Sequence, residues 1–170
     1  MNLTDEQLDR YARHIVLRDI GGAGQAKMLA SHVLMIGAGG IGCPALQYLA
    51  AAGVGTLTII DDDLVELSNL HRQPLFTDAD IGASKAMVAA DVARRINPHV
   101  EVLAVAERLD ADNATALLAG ADLILDGCDN FATRLGVNRA AVALRIPLLS
   151  AAIGAFEGQV ALYEGWRPDS

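Results

Sequence analysis

At 170 residues the chain is the size of one domain, and 52% hydrophobic but only 4% aromatic content suits an aliphatic core of sheet and helix. A net charge of −8 and an isoelectric point near 4.8 speak against nucleic-acid or acidic-membrane binding, which calls for a basic surface, so any phosphate site must be locally basic. No secretory signal or bilayer-spanning run is visible and the two cysteines, Cys43 and Cys128, lie far apart, so a reducing cytoplasm is the expected setting.

Thr4 and Gln7 fit a capping box, and Leu8, Tyr11, Ala12 and Ile15 keep helical spacing, so the pattern predicts one helix over 5–15 with Arg10 and Arg13 on a shared face. The cluster Gly21-Gly22-Ala23-Gly24 is expected to break that helix, leaving a short second one over 25–30. Residues 1–31 thus read as an N-terminal helical extension and 32–170 as the core of a single domain. The core opens with a strand at 33–36. Pro44 suits the first turn of a helix that runs through Leu46 and Leu49 and stops near Gly53. The β-branched run 56–60 reads as a buried parallel strand that delivers Asp61, Asp62 and Asp63 to the carboxyl edge of a sheet, where ligands bind. Helices are predicted over 84–95, 113–118 and 131–144, and strands over 100–105, 123–126, 148–152 and 159–163, with Asp129 just past a strand end. Strands alternating with helical crossovers define an α/β class: a Rossmann-like, doubly wound, mostly parallel sheet with flanking helices.

The chemistry is concentrated in Gly37-Ala38-Gly39-Gly40-Ile41-Gly42, which follows the first strand, and in Asp61, nineteen residues past Gly42. A strand, a G-x-G-x-x-G turn, a helix and a spaced acid describe a nucleotide-binding βαβ unit. Gly37 and Gly39 allow the tight turn, Gly42 allows helix and sheet to approach, and N–H groups at the helix start attract phosphate. The turn continues as Gly42-Cys43-Pro44 and lacks the lysine and hydroxyl of a Walker loop, so phosphate cations must come from elsewhere. The candidates are Arg72, in Ser68-Asn69-Leu70-His71-Arg72-Gln73, and Lys85, in Gly82-Ala83-Ser84-Lys85. If Asn69 and Arg72 share one helical turn, their spacing aims them the same way.

Taken with Arg10-Tyr11-Ala12-Arg13, Asp61-Asp62-Asp63, Asn97-Pro98 and Asp126-Gly127-Cys128-Asp129-Asn130, these motifs resemble, across nearly the whole chain, the E1-like adenylyltransferases of the MoeB, ThiF and HesA type. The resemblance implies ATP-dependent adenylylation of the C-terminal glycine carboxylate of a small ubiquitin-like sulfur-carrier protein ending in Gly-Gly, with release of pyrophosphate, in molybdopterin or thiamine biosynthesis. It further implies that Asp61 accepts the ribose hydroxyls, that backbone near Gly40 borders the nucleotide, and that Arg72 and Lys85 neutralise phosphate, with Asn69 adding a polar contact. Asp129 would hold Mg²⁺, and Arg13 would reach the γ-phosphate bound by a neighbouring subunit, which makes a homodimer the expected assembly.

The family's zinc site, built from two Cys-x-x-Cys pairs, is implied as well, but the sequence lacks those cysteines. That departure keeps a truncated, non-catalytic module holding ATP or carrier as one alternative. A nicotinamide-dependent oxidoreductase is another, because Gly37 to Gly42 with Asp61 equally suits the adenosine ribose of NAD. Asp62 and Asp63 are expected to include a solvated residue or a helix cap, and Asp129 could also cap the helix at 131. Cys43 and Cys128 read as packed residues rather than nucleophiles.

Overall fold

The computed structural model describes residues 3–168, so Met1 and Asn2 of the expected extension and Asp169 and Ser170 of the expected core lie outside the described residues. Among the described residues six strands form one sheet: β1 (His32–Ile36), β2 (Thr56–Ile60), β3 (Glu101–Val105), β4 (Leu123–Asp126), β5 (Leu148–Ile153) and β6 (Gly158–Tyr163). Their order is β3-β2-β1-β4-β5-β6, parallel except for β6, which pairs antiparallel with β5. This is the doubly wound arrangement, and its strand order reverses between β1 and β4.

Period-two alternation on β1 explains the burial of both sheet faces. Val33 and Met35 join Leu57 and Ile59 beneath α4 (Gly42–Ala52) and α5 (Lys85–Ile96), whose Leu46, Ala50, Ala86, Ala89, Ala90 and Ala93 supply the facing layer. Leu34 and Ile36 join Ile60 and Ile124 on the other face, beneath α6 (Ala114–Leu118) and α7 (Phe131–Leu144) through Leu118, Val137 and Ala140. The alanines let helix and sheet backbones come close, which is why so aliphatic a core needs few aromatic rings. The expected helix-strand alternation is present, with bounds that match or differ by a single residue at either end.

The N-terminal part departs from expectation in two places. The helix expected over 5–15 is divided at Tyr11 into α1 (Asp5–Arg10) and α2 (Ala12–Ile15). Tyr11 leaves helical geometry (φ −100°, ψ 12°), which sends its ring into the core at 2% exposure; the Asn97 side-chain amide donates to its hydroxyl at 2.8 Å. The ring lies over Gly53, the left-handed C-cap of α4 (φ 81°), where a Cβ would fall 2.5 Å from the ring. Secondly, the glycine cluster does not stand outside a helix but begins α3 (Gly21–Ala30). Gly21 (φ 60°) makes the entry turn, and burial of Gln25 offsets the low helix propensity of the glycines that follow. Gln25 donates to the Ala52 carbonyl and meets Nδ1 of His14, each at 2.9 Å.

No helix among the described residues is long and apolar enough to cross a membrane.

Candidate active site

At the carboxyl edge of the strands, where the order reverses, lies a cavity of about 900 Å³. It is lined by Gly37, Gly39 and Gly40 after β1, by Asp61 to Leu64 after β2, and by Asp129 and Asn130 after β4. Asn69, Arg72 and Lys85 complete one wall. Eight of the ten residues expected at a nucleotide site thus converge. Gly42 and Arg13 do not line the cavity.

Gly42 has a packing role: a Cβ there would fall 1.9 Å from the Gly37 carbonyl oxygen and 3.1 Å from the sulfur of Met35, so only glycine lets α4 start this close to β1. Arg13 is exposed on α2. α1 and α2 pack on the C-terminal ends of α4 and α5, where Arg10 donates to the Ile96 carbonyl, at the sheet edge opposite the cavity. Within one chain, Arg13 is therefore remote from the site.

Asp61 sits where β2 ends. Its Oδ2 accepts the Ala38 N–H at 2.7 Å and its Oδ1 the Asp63 N–H at 2.8 Å, which fixes the carboxylate against the glycine turn. Burial raises its pKa, because desolvation penalises the ionised form more than these two donors favour it. Two lone-pair positions remain for ligand hydroxyls.

The expected shared turn exists as a 3₁₀ turn over Leu67–Asn69, after which the Arg72 N–H donates to the Asn69 carbonyl at 3.1 Å. Asn69 is buried and bonds Ser68, whereas the Arg72 side chain is exposed and donates to the Ser68 carbonyl. Lys85 is unusual for a residue expected to meet phosphate: it is 5% exposed and opens α5, where the helix dipole disfavours a cation. The compensating group is Asp63, whose Oδ2 lies 2.8 Å from Nζ.

Asp62 and Asp63 are both solvent-exposed, as expected of at least one of them, and the pairing of Asp63 with Lys85 is a contact the sequence did not announce. A further set went unread in the sequence. Asp126, 2% exposed at the end of β4, accepts the Cys128 N–H and the Ser150 hydroxyl. Arg134 on α7 donates to Ser150 and to the Cys128 carbonyl and lies 3.5 Å from Asp126. These bonds tie β4, β5 and α7 to the 127–130 loop that carries Asp129. The available signal was an aspartate ending a strand with an arginine eight positions on, a separation no short-range pattern decodes.

Asn130 caps α7 by accepting the Ala132 and Thr133 N–H groups, so the cap suggested for Asp129 falls to its neighbour and leaves Asp129 exposed. The thiols are not poised as nucleophiles. Burial pushes Cys43 to about 11, and burial followed by Asp126 pushes Cys128 to about 12, so both stay protonated at neutral pH.

The cavity as a whole is not basic, contrary to expectation. Four cationic side chains (Arg72, Lys85, Arg108, Arg134) face six acidic ones (Asp61, Asp62, Asp63, Glu66, Glu107, Asp129). A polyanion entering it must be accompanied by positive charge. The carboxylates of Asp61, Asp62 and Asp63 cluster, and Asp61 and Asp63 already accept protein donors, so exposed Asp62 and Asp129 are the hard-oxygen groups in the cavity wall that could face a divalent cation.

The ThiF family model matches residues 11–170. The chain is 48% identical over 163 residues to the sulfur carrier protein adenylyltransferase of Thermus thermophilus, covering 96% of this chain and 60% of that protein. It is 45% identical over 161 residues to the molybdopterin-synthase adenylyltransferase of Salmonella typhimurium, covering 95% and 65%. Among solved structures, Escherichia coli tRNA N6-threonylcarbamoyladenosine dehydratase, TcdA, in complex with ATP superposes with a TM-score of 0.86 at 26% identity, covering 92% of this chain and 65% of that one. The chain thus spans about three-fifths of the length of such relatives. These relatives do not favour the nicotinamide-oxidoreductase alternative.

Proposed function

This chain belongs to the ThiF family, and from that premise we propose that it transfers AMP from ATP to the C-terminal glycine carboxylate of a small ubiquitin-like sulfur carrier ending in Gly-Gly, of the kind that serves molybdopterin or thiamine biosynthesis. The observation that carries this reading is the convergence of Asp61, Asn69, Arg72, Lys85 and Asp129 on one cavity at the point where the strand order reverses. It is supported by relatives named for that reaction and by an ATP-bound structural neighbour.

In this mechanism Asp61 accepts the ribose hydroxyls and the backbone of Gly37, Gly39 and Gly40 borders the nucleotide, which leaves the triphosphate facing Arg72 and Lys85. A carrier carboxylate oxygen attacks the α-phosphorus, a new O–P bond forms, and the bond to the β-phosphate breaks to release pyrophosphate. The barrier is electrostatic: two like unit charges at 4 Å repel by about 4 kcal/mol at an effective dielectric near 20. Arg72 and Lys85 offset that repulsion, with Asn69 as a neutral donor. Asp129 would hold Mg²⁺, which when bound supplies the positive charge that this acid-rich cavity lacks. Arg13, remote from its own cavity, acts in trans on the γ-phosphate in a homodimer. The setting is the cytoplasm, the described residues form one adenylation domain, and the carrier is its macromolecular substrate.

The test is ATP–pyrophosphate exchange with Mg²⁺ and purified carriers ending in Gly-Gly. Carrier-dependent exchange is expected, and Arg72→Ala should lower kcat/KM at least about a hundredfold, in line with loss of one charge stabilising the transition state. ATP binding with no exchange from any carrier would instead support the non-catalytic module.

A further inference from the structure

An acidic side chain in the wall of a triphosphate site works against binding unless it has another task. Asp63 is 67% exposed at its side chain and lies in that wall, yet three bonds place it between the two ends of the site. Its N–H donates to Asp61 Oδ1 at 2.8 Å, its carbonyl accepts the Lys85 N–H at 3.0 Å, and its Oδ2 holds Lys85 Nζ at 2.8 Å. The adjacent Leu64–Ser84 bridge joins the same two segments. Lys85 is one of only two lysines in the chain, the other being exposed Lys27. A buried ammonium at a helix N-terminus has no solvent to stabilise it and faces an unfavourable dipole, so the direction it points is set by its counter-ion.

We infer that Asp63 is a positioning residue: it holds the Lys85 ammonium in fixed relation to Asp61, so that the ribose and phosphate ends of the site keep one spacing. The inference rests on the adenylylation reading for its kinetic consequence and on geometry alone for its structural one. Removing the carboxylate has two opposed effects. It removes a negative charge near the triphosphate, which favours ground-state binding, and it frees Lys85 from the orientation needed when charge shifts at the α-phosphate. The expected signature is a split between KM and kcat, whereas a merely structural residue would weaken both.

Two measurements on the full chain test this. In exchange assays Asp63→Asn should lower kcat at least tenfold while KM for ATP stays within threefold of wild type or falls, and Asp63→Glu should recover most of kcat. In nucleotide-free protein, acetylation by an N-hydroxysuccinimide ester followed by mass spectrometry should show labelling of Lys85 relative to Lys27 rising at least fivefold in Asp63→Asn. A KM rise with kcat unchanged, or a labelling ratio equal to wild type, overturns the inference. If Asp63→Asn does not fold, Asp63→Glu decides: kcat within about fivefold of wild type supports the inference, and activity as low as that of Lys85→Ala overturns it. Wild-type protein without exchange would retire the adenylylation reading, and the labelling ratio would still decide the role of Asp63.

Discussion

The Asp61 carboxyl is held by two backbone N–H groups and is also desolvated, and these forces oppose each other. Desolvation wins, so the folded pKa lies above the ordinary aspartate value of about 3.9. The stability this group contributes is therefore fully present below the unfolded pKa and is lost as pH rises through the folded one, so at neutral pH its charge costs stability. If Asp61 accepts ribose hydroxyls in its ionised form, that step has the reverse sign: affinity should rise with pH through the folded pKa. Titrating adenosine by calorimetry, which leaves phosphate ionisation out, should show a limb with its midpoint above about 3.9. A limb that persists unchanged in Asp61→Asn would mean that Asp61 does not recognise ribose. Asp61 was readable from its spacing to Gly42, because the βαβ unit fixes the distance between a strand end and the glycine turn. Asp63 was not, because its partner is twenty-two residues away and only folding brings them together.

Among the elements, the start of α4 shows how closely fold and site are interlocked. Gly42 faces the Gly37 carbonyl at a distance no side chain tolerates, whereas a Cβ on Gly40 would meet Arg72 at an ordinary 3.8 Å. Gly42→Ala should therefore destabilise by about 3 kcal/mol or more through overpacking against backbone, lowering Tm by roughly 6–12 °C in a chain of this size. Gly40→Ala should leave Tm within about 2 °C, since its Cβ meets only normal contacts. Thermal unfolding of the two variants checks this, and equal Tm values would contradict the close approach. The elements themselves were visible in the sequence where periodicity was strong: the bounds of β2 and α7 match the apolar runs that predict them. They were misread where one residue answered to a distant partner. The capping box at Thr4 and Gln7 is present as expected, but no local pattern announces that Tyr11 leaves the helix to bury its ring over Gly53.

For the molecule as a whole, the decisive arrangement is that the N-terminal helices and the cavity occupy opposite edges of the sheet. If Arg13 serves the site of a second subunit, mixing Arg13→Ala with Lys85→Ala chains should restore activity that neither has alone. Recovery should approach about a quarter of wild type, because half of randomly paired dimers are mixed and each holds one intact site of two. No recovery after subunit exchange would confine Arg13 to a structural role. The order of strands and helices, the glycine turn and the spacing of Asp61 were determined by the sequence itself, since these depend on periodicity and short-range backbone geometry. The pairing of Lys85 with Asp63, the network from Asp126 through Ser150 to Arg134, the excess of acid in the cavity wall and the remoteness of Arg13 were decided only by the tertiary structure. The reason is physical: a side chain's partner, burial and charge environment depend on which segments the sheet order brings side by side, and separation along the chain does not encode it.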